Sequence, residues 1–141
     1  MIGKEVDGGY AERIVVPAQN AIAIPPEVPF NQAAIMMCST ATAWHALKLA
    51  EIRSTESLGI IGFGGLGVSA VQLARRIGVS RIFAADVVPE KLKLAASFGA
   101  TAVTELPEVD VVLEFSGNAA AATNALRTIV IPITRVTSWS S

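Results

Sequence analysis

Gly62-Phe63-Gly64-Gly65-Leu66-Gly67 constrains this chain more than any other stretch. Four of its six residues are glycine, which weakens strands and helices alike from within. Yet the apolar run 58–61 leads into it and the helical pattern 66–78 leads out of it. A glycine cluster at that junction marks a tight strand-to-helix passage with bare backbone on its outer side. The helix beginning there carries unpaired N–H groups and roughly half a positive charge at its head, which suits an anion such as a diphosphate. The G-x-G-x-x-G spacing alone is a weak signal; its place between strand and helix gives it meaning.

The rest of the chain extends the same alternation. Strands are expected over 58–63, 81–87, 101–104 and 110–115, with a last one within 135–139. Helices are expected over 66–78, 89–99 and 118–129, where Gly78 and Gly99 stand at helix ends and Pro89 at a start. Near-continuous apolar strands alternating with helices imply a parallel sheet covered on both faces. The expected fold is α/β: a doubly wound parallel sheet with a small N-terminal β segment before it. In that segment Asp7-Gly8-Gly9 reads as a turn, 10–17 as β-formers ending at Pro17, and 21–26 as an extended run stopped by Pro25-Pro26. Asn31 is the expected N-cap of a helix over 32–52, rich in Ala, Leu and Met.

Composition narrows the function classes. With 141 residues, 52% hydrophobic and 16% charged, the chain forms a core and has room for one domain plus part of another. A formal net charge of -1 with no run of one sign argues against a nucleic-acid surface and against a polybasic membrane anchor. Residues 28–47 and 57–74 lack charges over a membrane-span length, but Pro29, Asn31, Gln32 and His45 interrupt the first and several glycines the second. Neither reads as a span. Cys38 is the one cysteine, so no internal disulfide forms, and no signal peptide opens the chain; a cytoplasmic setting is expected.

Each glycine of the loop has its own task. Gly62 permits the turn out of the strand, Gly64 lets backbone approach a pyrophosphate, and Gly67 lets the helix lie close to the sheet. Asp86 falls nineteen residues after Gly67, at the end of the next strand. A carboxylate there accepts hydrogen bonds from both hydroxyls of an adenosine ribose and repels a 2′-phosphate, which favours NAD over NADP. The competing structural reading makes the loop an ordinary strand–helix turn and Asp86 a helix cap, although Pro89 places that helix start too far on. S-adenosylmethionine-dependent methyltransferases use a similar turn and acid, so the loop by itself leaves the cofactor open.

The runs 7–34, 38–48, 62–78, 86–91 and 97–103, in this order and spacing, resemble the zinc-containing alcohol dehydrogenases of the medium-chain dehydrogenase/reductase superfamily. The likeness extends to about Leu126. It implies a Rossmann domain joined to a substrate domain, and hydride transfer between an alcohol or carbonyl and NAD. By resemblance, Gly62, Gly64, Gly65, Leu66 and Gly67 match the pyrophosphate loop, Asp86 the ribose-binding acid, and Lys91 a lysine that steadies that ribose. Thr42 lies where the family places a threonine beside the nicotinamide, and Ser116 and Gly117 where backbone skirts the cofactor. Cys38 matches the third protein ligand of the catalytic zinc. The resemblance also implies a small alcohol, aldehyde or ketone as substrate and a homo-oligomer formed through sheet edges, with no nucleic-acid or membrane partner.

Several departures bear on activity. Catalytic zinc needs three protein ligands and an open position, but the other two family ligands match nothing here, and His45 is expected to be a partly buried helix residue. Cys38 alone is then expected to behave as a small buried hydrophobe. The four cysteines of a structural zinc are absent, and 129–141 lacks the glycines found there in the family. The resulting division is 1–30 as a piece of a GroES-like substrate domain, 31–54 as a connecting helix, and 55–141 as an NAD-binding Rossmann domain short of its last strand. Expected function is the cofactor-binding part of an NAD-dependent zinc-type alcohol dehydrogenase, inactive alone. The alternatives are a catalytically silent nucleotide-binding module and a zinc-free reductase, which Cys38 disfavours.

Overall fold

The computed structural model describes residues 3–128 and 136–138. The chain divides into two compact units, Met1–Ala33 and Ala34–Ser141.

In the first unit the expected β segment does not form. Among the described residues Val6 makes an isolated bridge, Ala18–Asn20 form a short 3-10 turn, and no strand is present. The β-formers Ile14, Val15 and Ile22 are there, but all three stand exposed. A strand exists only through a ladder with a partner, and no ladder pairs 10–17 or 21–26 among the described residues.

The helical stretch begins two residues early, at α1 (Phe30–Ile35). Asn31 therefore sits inside the first turn, where its Oδ1 accepts from the adjacent Gln32 N–H at 3.0 Å instead of capping from outside. A π-helical turn over Met36–Thr40 follows, then α2 (Ala41–Leu49). Such turns insert one extra residue and recur near functional sites.

The second unit carries the sheet. Strands β1 (Ser57–Ile61), β2 (Arg81–Ala85), β3 (Thr101–Val103), β4 (Val111–Glu114) and β5 (Val136–Ser138) lie in the order β3-β2-β1-β4-β5. Every neighbouring pair is parallel. Helices α3 (Gly65–Arg76), α4 (Pro89–Ser97) and α5 (Ala119–Arg127) make the crossovers, so the doubly wound α/β reading holds. The final expected strand is β5; the remainder of the tail, 129–135 and 139–141, including the positions expected to lack glycines, lies outside the described residues.

Alternation along the strands sorts the core. Leu58, Ile60, Ile82, Ala84, Val111 and Leu113 gather on one side with Ala43, Ala46 and Leu47 of α2 and Ala70, Val71 and Ala74 of α3. Val112 and Val109 gather with Ala125 of α5, Ile61, Phe83 and Leu106. Alanines where α2 meets α3 let the two helices approach closely.

One polar clamp fixes the strand starts. Ser57 donates its N–H (2.7 Å) and hydroxyl (2.6 Å) to Asp110 Oδ2, and its Oγ accepts from the Asp110 N–H at 3.1 Å. Arg81 Nη2 lies 3.7 Å from the same carboxylate oxygen. The Ser57 hydroxyl and N–H, helped by Arg81 and against partial burial, hold the Asp110 carboxyl below its usual range. Among the described residues no helix is long and apolar enough to cross a membrane.

Candidate cofactor-binding site

The chain builds β1, β2 and β3 outward in one direction, then returns to place β4 on the other flank of β1. Where the order reverses, the crossovers diverge and leave a crevice at the strands' carboxyl ends. A cleft of about 780 Å³ lies there, lined by Gly62 and Gly64 from the loop, Asp86, Val87 and Lys91 after β2, and Ser116 and Asn118 after β4. Thr104, Leu106 and Arg127 line it further along. That volume falls within the range of small-molecule and cofactor sites.

Close packing at Gly62 and Gly67 shapes the loop. Gly62 has φ +88°, and a β-carbon on it would stand 2.6 Å from the Ser116 nitrogen. A β-carbon on Gly67 would stand 2.6 Å from the Gly62 carbonyl oxygen, so α3 can leave the sheet this closely only from a glycine. At Gly64, by contrast, a β-carbon would meet nothing within 4 Å. The bare face of the loop looks into open space. The first intrahelical bond at this end is Val68 N–H to Gly64 O at 3.0 Å, and no side chain caps α3. The leading N–H groups of the helix are thus available to an anion.

Asp86 joins the loop to β2. Its Oδ2 accepts from the Phe63 N–H at 2.6 Å, its Oδ1 accepts from the Val88 N–H at 2.9 Å, and Lys91 Nζ stands 3.6 Å from Oδ2. The side chain is only 5% exposed. Burial alone would push this carboxyl up; the Phe63 and Val88 N–H bonds, with the Lys91 charge, outweigh it and leave the group below its usual range. Asp86 stays ionised at neutral pH. It does not cap α4, whose N-cap is Val88 with no side-chain bond.

Five of the residues singled out in the sequence meet on the cleft: Gly62, Gly64, Asp86, Lys91 and Ser116. Gly65, Leu66 and Gly67 form the first turn of α3 behind them. Gly117, with φ +67°, shapes the turn after β4 without lining the cleft. Thr42 sits partly buried on α2, outside the lining. The π turn nevertheless reaches the head of α3: a β-carbon on Gly65 would lie 3.5 Å from Ser39 Cβ, and Thr40 Oγ1 is 3.5 Å from Ser69 Oγ.

Two expectations are corrected. Cys38 is exposed, not buried, in a π turn that buries none of its residues. His45 is exposed as well, while its neighbours Ala46 and Leu47 take the buried face of α2. No three His, Cys, Asp or Glu side chains among the described residues come close enough together to hold a metal. Sequence reasoning also missed the Phe63 N–H, an unspecified position of the glycine motif, and the buried carboxyl of Glu114. The acid in the otherwise apolar run 111–114 was the available signal for the second.

The model of the zinc-binding dehydrogenase family matches residues 65–130. An alcohol dehydrogenase of Geobacillus stearothermophilus is 41% identical over 101 residues, covering 72% of this chain and 30% of that protein. Over these stretches the chain is similar to zinc-binding dehydrogenases. Solved oxidoreductases share its fold. The alcohol dehydrogenase TADH from Thermus sp. ATN1 matches with a TM-score of 0.80 at 31% identity, covering 88% of this chain and 41% of its own. Acetophenone reductase from Geotrichum candidum NBRC 4597, solved in complex with NAD, gives 0.71 at 29% identity, covering 84% of this chain and 39% of its own. The quinone oxidoreductase from Thermus thermophilus, also solved with NADPH, gives 0.74 at 32% identity, covering 94% of this chain and 54% of its own. The chain thus spans well under two thirds of each relative's length.

Proposed function

We propose that this chain supplies the cofactor-binding part of an NAD-dependent oxidoreductase of the zinc alcohol dehydrogenase type. The observation that carries the reading is the buried, ionised Asp86 tied to the glycine loop by the Phe63 N–H at 2.6 Å, on the rim of the cleft. The open face at Gly64 fits a diphosphate, since no side chain stands between the backbone and the cleft. In this reading the amides of Gly64, Gly65, Leu66 and Gly67 bind the diphosphate, and Asp86 and Lys91 bind the ribose. Ser116 and Gly117 flank the cofactor, with Thr42 beside its nicotinamide. When bound, NAD supplies the hydride acceptor or donor for a small alcohol, aldehyde or ketone. An ionised carboxylate disfavours a 2′-phosphate at the same place.

The residues present do not fit a catalytic zinc. Cys38 is a single exposed thiol with no second and third ligand near it among the described residues. The isolation of Cys38 favours a second reading for the chain taken alone: a nucleotide-binding unit without turnover. With one cysteine it needs no oxidising compartment, which suits a cytoplasmic setting.

Titration with NADH and NADPH, followed by nicotinamide fluorescence, tests the proposal. NADH binds more tightly than NADPH, and Asp86→Ala weakens NADH by about 1.5–3 kcal/mol, the worth of hydrogen bonds to a charged group. Equal affinity for the two nucleotides, or an unchanged Asp86→Ala, removes Asp86 from the site.

A further inference from the structure

Glu114 is the last residue of β4, paired with Ile61 across the ladder, and only 2% exposed. A carboxyl in such a place needs compensating donors, or its burial costs several kcal/mol, on the order of the penalty for an unpaired buried ion. Both donors on Oε1 come from one residue: the Ser116 N–H at 2.6 Å and the Ser116 hydroxyl. Ser116 Oγ in turn accepts from the Asn118 N–H at 3.1 Å, and Asn118 Oδ1 accepts from the Ala120 and Ala121 N–H groups at 2.9 and 3.2 Å. A chain of bonds therefore runs from a buried strand end, through the turn, to the head of α5.

That turn is one wall of the cleft. Ser116 and Asn118 line it, and the Phe115–Ser116 peptide lies directly against Gly62, leaving less than a β-carbon's room between them. The Phe115 N–H also donates to Ile61 O at 2.8 Å, which holds the base of the turn to β1. Above that bond the Glu114 carboxyl curls the backbone at Ser116 onto the loop. Its hold on the Ser116 N–H and hydroxyl proton also withholds both donors from a ligand.

We infer that Glu114 is a positioning residue for the dinucleotide: it fixes the Phe115–Asn118 turn against Gly62 and so sets the width of the crevice where β1 and β4 part. The inference rests on the proposed cofactor site. Glu114 touches no ligand itself and acts through Ser116.

The test compares NADH affinity with thermal unfolding in the wild-type chain and in Glu114→Ala, Glu114→Gln, Ser116→Ala and the Glu114→Ala/Ser116→Ala pair. Glu114→Ala weakens NADH about tenfold or more, a loss of about 1.4 kcal/mol. Glu114→Gln keeps an acceptor oxygen for Ser116 and stays within about threefold of wild type, a difference below about 1 kcal/mol. The double variant binds no worse than Glu114→Ala, because the two side chains act as one unit. Wild-type affinity in Glu114→Ala, equal losses in the Gln and Ala variants, or additive losses in the pair each overturn the inference. If Glu114→Ala does not fold, Ser116→Ala decides alone: weaker binding at unchanged melting temperature supports the inference, and unchanged binding overturns it. A wild-type chain that ignores NADH sinks the cofactor reading and this inference together, whereas wild-type binding with an indifferent Glu114→Ala sinks this inference only.

Discussion

An alanine at Gly62 would place its β-carbon 2.6 Å from the Ser116 nitrogen and 2.8 Å from the Phe115 carbonyl carbon, with φ held at +88°. Neither contact is a flexible side chain, so backbone has to move, and the dihedral adds about 1–2 kcal/mol of its own. Gly62→Ala therefore lowers the unfolding free energy by more than about 2 kcal/mol, read by chemical denaturation. Gly64→Ala behaves differently. Its β-carbon enters open space, its φ of −91° is ordinary, and stability changes by less than about 1 kcal/mol. NADH binding nonetheless falls, because the methyl group occupies the face along which a diphosphate approaches. A Gly64→Ala chain that binds NADH normally places the diphosphate elsewhere.

Among the elements, the strand starts depend on Asp110 as the strand ends depend on Asp86. Both carboxyls have folded values below their ordinary ones, so their contribution to stability is full above the ordinary carboxylate range and is lost as pH falls through it. Thermal unfolding temperature should therefore drop as pH falls below about 4, near the unfolded carboxylate value. Asp110→Asn should be less stable at neutral pH by about 1–3 kcal/mol and show a shallower acid decline. An identical pH profile in wild type and Asp110→Asn assigns the acid sensitivity to other groups.

The elements from 57 to 128 were legible in the sequence because the local signals agreed with the tertiary outcome. Apolar strands stop at polar turns, Pro89 starts α4, and Gly78 and Gly99 close helices with φ of +93° and +86°. The expected strands before Pro25 were not realised, since β-propensity describes a residue's fit to a partner that only the fold supplies. Within the candidate site, Asp86 could be found by its spacing from the loop. The Phe63 N–H could not, because a backbone donor leaves no mark on residue type. Glu114 shows in the sequence only as an acid in an apolar run; its partner lies two residues away in a turn whose shape sequence pattern does not encode.

For the whole molecule, two expectations follow from residues away from the cleft. Added zinc yields negligible alcohol oxidation, because Cys38 is isolated among the described residues and no three-ligand cluster forms. Turnover by the purified chain, measured as NADH appearance, contradicts this. Second, Ile35, Met36, Met37, Trp44 and Leu49 stand exposed in a chain whose mean hydropathy is +0.52, and they leave apolar side chains on the surface. Concentration-dependent association is expected in sedimentation velocity, and a single monomeric boundary at every concentration counts against it.

The bond between the Phe63 N–H and Asp86 has a consequence for anyone wishing to redesign nucleotide preference. Exchanging that acid for a neutral or basic side chain, the obvious route to accepting a phosphorylated sugar, also removes the loop's side-chain tie to the end of β2 and leaves the Gly62 N–H to Ala85 O bond at 2.9 Å to hold it there. One carboxylate thus serves both discrimination and part of the loop's order, and changing it for the first disturbs the second. A successful swap needs a replacement acceptor for that amide, supplied from some other residue.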